Sequence, residues 1–84
     1  MELVVLTPEQ EFFKGTIKSL TVPGVTGEFE VLENHAPLVS ALTSGDVRIL
    51  KEDGDILRIK INEGFLEVIS NDLALLVKEI EPMD

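Results

Sequence analysis

DVRILKEDGDILRIKI, Asp46–Ile61, alternates apolar and polar side chains on either side of an Asp-Gly pair. A period of two is the pattern of a strand with one dry and one wet face. It puts Val47 and Ile49 on one face of a strand over Asp46–Glu52, and Leu57, Ile59 and Ile61 inward on a return strand over Asp55–Ile61, with Arg58 and Lys60 outward. Asp53-Gly54 between them predicts a two-residue type I′ turn, whose central positions both need φ > 0, a conformation Asp tolerates and Gly adopts freely. The stretch therefore predicts an antiparallel hairpin.

The same pattern continues in both directions. Downstream, Asn62-Glu63-Gly64 predicts a turn, Phe65–Ser70 a strand, Asn71-Asp72 a tight turn and Leu73–Ile80 a last strand before Pro82. Upstream, Thr43-Ser44-Gly45 is a turn cluster, while the short apolar run Pro37–Leu42 fits a strand or a turn of helix. Thr16–Val22 reads as a strand with Ile17, Ser19 and Thr21 on one face and Lys18, Leu20 and Val22 on the other. Phe13 is expected in the core, with Phe12 beside it. Glu2–Thr7 is β-branched and apolar on both faces, as in an interior or partner-covered strand, and Thr7-Pro8 ends it. Short strands at this spacing, joined by Gly, Asn and Asp turns, predict an all-β, antiparallel sandwich or barrel as a single domain over residues 1–84. There is no internal repeat and no convincing amphipathic helix.

VPGVTGEFEVLENHAPLVSAL, Val22–Leu42, departs from plain strand sequence. Pro23-Gly24 and Gly27 reverse the chain. Glu28, Glu30 and Glu33 then interleave with Phe29, Val31 and Leu32 in a short exposed strand, and Asn34-His35-Ala36-Pro37 breaks it, because proline cannot donate to a ladder and restricts the residue before it. The chain's one histidine, His35, falls in that loop.

Composition narrows the function. A net charge of −9 on 84 residues opposes nucleic acid and anionic lipid, whose phosphates would be repelled. No cysteine is present for disulfides, thiolate metal sites or redox chemistry. The longest apolar run, Leu73–Val77, is far short of the roughly 20 residues of a membrane helix, and no signal or transit peptide is expected. Glu52, Asp53 and Asp55 lack the ligand spacing of a calcium loop, and no phosphate cradle of the GxxxxGKS or GxGxxG kind occurs. His35 has no cysteine to activate. Carboxylates such as Glu28, Glu30 and Glu33 act as acid and base only where their surroundings drive the pKa values apart. The residues alone leave open a binding module, an adaptor for some other protein, and a small hydrolase or isomerase using Glu28 with His35.

The run VPGVTGEFEVLENHAPLVSALTSGDVRI, Val22–Ile49, resembles the epsilon chain of F-type ATP synthases. The likeness lies in a glycine turn, Gly-Glu-Phe, His-Ala-Pro-Leu, and a glycine ahead of Val-Arg-Ile. Gly64-Phe65-Leu66-Glu67-Val68, Thr7-Pro8 and Phe13–Gly15 fit further landmarks, so the resemblance covers essentially the whole chain. It implies a β-sandwich of roughly ten short strands. It also implies a non-catalytic central-stalk subunit that binds the gamma subunit and the c ring, and through them reaches the catalytic head, coupling proton or sodium flux to ATP synthesis. By resemblance, Gly27, Glu28 and Phe29 match the loop that meets the c ring, while Thr7 and His35 match positions facing gamma. No catalytic, cofactor-binding or metal-binding residue is assigned. The implied setting is peripheral, on the cytoplasmic face of a bacterial inner membrane, with a monomer when isolated. Glu30 and Glu33 stand where many relatives carry glycine and proline. The family's helical hairpin has no counterpart in residues 1–84, so inhibition and ATP binding are not carried over.

Overall fold

A computed structural model describes residues 1–83, and Asp84, the end of the expected domain span, lies outside them. The described residues form nine strands and no helix: β1 (Glu2–Leu6), β2 (Glu11–Gly24), β3 (Gly27–Leu32), β4 (Leu38–Leu42), β5 (Gly45–Lys51), β6 (Ile56–Ile61), β7 (Gly64–Ile69), β8 (Asp72–Val77) and β9 (Ile80–Met83). The all-β expectation holds, with nine strands in place of roughly ten.

One long strand organises the rest. β2 runs 14 residues, well beyond the expected Thr16–Val22. Its first part pairs with β1, and its second part lies between β3 and β5 and touches β4 at Gly24. Two layers result, β1-β8-β7-β4 and β3-β2-β5-β6-β9, with β2 sealing both outer strands of the first. β1 is an interior strand, as its apolar composition predicts, but it lies parallel to β8. This is the one parallel pairing in the described sheet.

Two irregularities let β2 serve both layers. Val5 pairs with Phe13 and Leu6 with Glu11, so Phe12 is an extra residue. Ile17 pairs with Lys51 and Ser19 with Leu50, which leaves Lys18 unmatched. An extra residue of this kind bends the strand and shifts its alternation by one. That is why Ile17, Leu20 and Val22 are all buried, although strict alternation puts Ile17 on the face opposite the other two. It is also why Phe12 and Phe13 both pack, half-buried, against the core.

Between the layers lie Leu3, Val5, Leu66, Val68, Leu73 and Leu75 from one side and Leu20, Val22, Val31, Val47, Ile49, Ile59 and Ile61 from the other. No buried side-chain polar atom among the described residues lacks a hydrogen-bond partner. Such a core leaves little room for chemistry inside the sandwich.

Two turns and one strand differ from expectation. The β5–β6 connection is not a two-residue turn. The Gly54 N–H donates to the Lys51 carbonyl (3.0 Å), the Lys51 N–H donates to the Asp55 carbonyl (2.8 Å), and of Asp53 and Gly54 only Gly54 has positive φ, at 96°. This is a longer loop closed by a left-handed glycine, with Asp53 Oδ1 accepting the Asp55 N–H at 2.9 Å. The tight turn with two positive φ values is instead Ser70-Asn71 (48° and 65°), one residue ahead of the expected Asn71-Asp72. Finally, Leu73–Ile80 is not one strand. β8 ends at Val77, and β9 crosses to pair with β6, placing Pro82 on a sheet edge where a missing N–H is tolerated. The ambiguous Pro37–Leu42 run resolves as β4, paired with β7.

Candidate functional site

The β2–β3 hairpin presents the acidic tip. Gly24 pairs with Gly27 around Val25-Thr26, and Gly27 takes a φ of 136° that an L side chain rarely adopts. The tip is braced from below: the Val25 N–H donates to the Ala41 carbonyl (3.3 Å) and the Thr43 N–H to the Pro23 carbonyl (2.9 Å). Glu28 points outward, and its Oε1 lies 3.5 Å from Arg48 Nη2, with the two side chains 61% and 49% exposed. A pair so exposed stabilises the fold little.

Phe29 has the opposite orientation. It is half-buried against the core, and its ring sits where a Cβ on Gly24 would fall, 2.9 Å from Cε1. Of the three residues expected at the ring contact, Glu28 is presented, Gly27 shapes the turn, and Phe29 supports the tip from inside.

Thr7 ends β1 in a compact turn. Its N–H donates to the Gln10 carbonyl (2.9 Å) and its Oγ1 accepts the Gln10 N–H (3.2 Å). His35 lies at the other end of the layer. Its backbone N–H donates to the Leu32 carbonyl (3.2 Å), and its Nδ1 is 2.7 Å from the Ala36 carbonyl, a contact that requires the proton on Nδ1. The loop is clasped to the β7–β8 turn: the Asn34 N–H donates to Asn71 Oδ1 (2.6 Å) and Asn71 Nδ2 donates to Asn34 Oδ1 (3.0 Å). Both asparagines have positive φ, 66° and 65°. Sequence reading missed this clasp, because each asparagine alone reads only as a turn former. Asn71→Ala removes both hydrogen bonds and puts alanine at positive φ, so a loss of about 1–3 kcal/mol is expected in urea titration.

Thr7 and His35 are not neighbours. β1 runs parallel to β8 with Glu2 beside Asp72 and Leu6 beside Leu76, so Thr7 is at the Val77 end and His35, tied to Asn71, is at the Asp72 end. Between them lies the outer face of β4-β7-β8-β1. Ala41, Phe65, Leu76 and Leu6 stand in one cross-strand row, and Val39, Glu67, Ala74 and Val4 in the next. Val39 is 72% exposed, Phe65 56% and Leu76 43%. At the Thr7 end the face opens into an apolar groove of about 570 Å³, lined by Leu6, Thr7, Pro8, Phe65 and Leu76 with Glu63 and Lys78 among its charged residues. Apolar excess on β1 and β8 is visible in sequence, but the contribution of Val39 and Phe65 is not.

Glu28 and His35 stand at opposite ends of β3. His35 follows the end of β3, and Glu28 is four residues before Leu32, about 13 Å along an extended strand. Neither lines the apolar groove at the Thr7 end. The geometry gives no support to a hydrolase built on that pair.

Residues 1–83 match the beta-sandwich domain of the ATP synthase Delta/Epsilon chain. The chain belongs to this family. An ATP synthase epsilon chain of Chlorobaculum tepidum is 44% identical over 78 residues, covering 93% of this chain and 89% of that one. One from Nitratiruptor is 40% identical over 84 residues, all of this chain and 65% of its relative. A chain in the solved Euglena gracilis mitochondrial ATP synthase has the same fold, with a TM-score of 0.90 at 22% identity over 98% of this chain and 54% of its own length. The family's sandwich thus accounts for all the described residues, whereas several relatives are considerably longer.

Proposed function

We propose that this chain is a non-catalytic central-stalk subunit of an ATP synthase, holding gamma through the outer face of β4-β7-β8-β1 and the c ring through the Glu28 tip. The observation that carries this reading is the outward-facing row Ala41-Phe65-Leu76-Leu6, apolar side chains aligned across four strands, with Phe65 and Leu76 exposed. Contiguous apolar surface on a small domain marks a partner site. Thr7 and His35, the residues matched to gamma, bracket this face from its two ends, which supports one partner spanning it.

The tip supports a second partner. Gly27, Gly24, Leu42, Gly64 and Val77 are linked in register from β3 to β8. The hairpin therefore projects at the groove end of the apolar face, and one rigid body offers a lateral apolar surface and an acidic end. A rotor part needs both, because torque passes only through contacts that do not slip. The interface with gamma is expected to bury about 1,600 Å² or more. No helix among the described residues is long and apolar enough to cross a membrane. The proposed setting is peripheral, on the cytoplasmic face of a bacterial inner membrane, with ion flux through the ring coupled to synthesis in the head.

Mixed with gamma and the catalytic head at micromolar concentration, the chain should co-elute; failure to do so would sink the assignment. Charge reversal at Glu28 is expected to weaken ring binding about ten-fold, while reversal at Asp53 on the distant β5–β6 loop leaves it unchanged. Equal effects would remove any special role for the tip.

A further inference from the structure

The Glu28–Arg48 pair is not between neighbouring strands. Glu28 stands opposite Pro23, and Arg48 opposite Thr21 on the far side of β2. The contact from Nη2 to Oε1 at 3.5 Å thus crosses the middle strand diagonally. Two features hold the guanidinium on that side. Arg58 is directly opposite Arg48 on β6, and like charges so placed repel, driving Arg48 away from β6 and towards β3. Glu30, across Thr21 from Arg48, adds a second carboxylate on the β3 side. Thr21 alternates with the core-facing Leu20 and Val22, so it is on the outer side of β2, yet it is buried. Its cross-strand neighbours on that face are Glu30 and Arg48.

We propose that Arg48 is a positioning residue for the ring contact: it holds Oε1 of Glu28 so that Oε2 is presented to a hydrogen-bond donor on the polar loop of the c ring. This rests on the assignment of Glu28 to the ring made above. A carboxylate has two oxygens and about four acceptor sites, enough for Arg48 and a second donor together. The partner group is therefore a hydrogen-bond donor, an amide, hydroxyl, ammonium or guanidinium, and a carboxylate in its place is repelled. The pair acts on binding more than on folding, because a side chain already held in its bound geometry loses less conformational freedom on association.

The test is a double-mutant cycle with Glu28→Gln, Arg48→Gln and the double variant, each assembled with gamma and titrated against purified c rings. Each single change is expected to weaken ring binding about five-fold, and the double variant no further than Glu28→Gln alone. Arg48→Lys should restore part of the loss. Gamma binding and the thermal midpoint of every variant should stay at the wild-type values, which a purely structural brace would not allow. If Arg48→Gln binds rings like wild type while Glu28→Gln does not, or if the two losses add, the positioning role is wrong and the ring assignment survives. If Glu28→Gln has no effect, both fall.

Discussion

Leu75→Ala is expected to lower folding stability by about 3 kcal/mol, within the range of about 2–5 kcal/mol for emptying a leucine site in a packed core. Leu75 is fully buried on β8, flanked in register by Val5 of β1 and Leu66 of β7, both also fully buried. The strands on either side fix its surroundings, so the cavity has little scope to collapse. For a domain of this size each kcal/mol shifts the thermal midpoint by roughly 4–8 °C, and a drop of roughly 12–24 °C in scanning calorimetry is expected. A change of only a few degrees would mean that the two layers are not packed as described. The effect is large because a small domain has a modest core and total stability of only about 5–15 kcal/mol.

Phe65→Glu should leave that stability nearly unchanged and abolish assembly with gamma. Phe65 points outward from β7 between Ala41 and Leu76, so it occupies the middle of the exposed apolar row and contributes nothing to the inner core. An aromatic residue at the centre of an interface is a typical anchor, and a buried carboxylate without a partner adds a desolvation cost to the lost contact. A loss of affinity of about a hundred-fold or more is expected by titration calorimetry or co-elution, with unchanged circular dichroism and thermal midpoint. Phe65→Leu, which keeps the surface apolar, should retain most of the binding. If Phe65→Glu binds gamma normally, that face is not the gamma site, whatever the fate of the Glu28 tip.

The glycine of Gly64-Phe65-Leu66-Glu67-Val68 shows how far sequence reading reaches. It was legible as a landmark and a turn position, but the reason for it was not. A Cβ on Gly64 would strike the Leu76 carbonyl and come within 2.8 Å of Val77 Cγ1, so β7 can approach β8 at the groove only without a side chain there. Glu28 was legible as an exposed acidic residue after a glycine turn. Its partner Arg48 was not, because 20 residues separate them in the chain and β2 lies between them. Phe29 shares the Gly-Glu-Phe motif with Glu28 but faces inward, since adjacent strand residues project to opposite sides. The Asp-Gly pair failed as a two-residue turn because the Asp53 carboxylate and Gly54 together close a longer loop, whereas Ser70-Asn71 accepted the left-handed pair of angles without any glycine.

By itself the sequence determined that the described chain is made of strands, roughly where it reverses, and that an acidic tip and a histidine loop stand outside the core. Those are local matters, decided by period-two alternation and by the backbone angles that glycine, asparagine and proline allow. Only the tertiary structure decided that β1 lies parallel to β8, that β2 bends twice to serve both layers, and that Val39, Phe65 and Leu76 join into one face. Such neighbours are chosen by the packing of a shared core between segments far apart in the chain, and alternation along one strand is silent about which strand lies beside it.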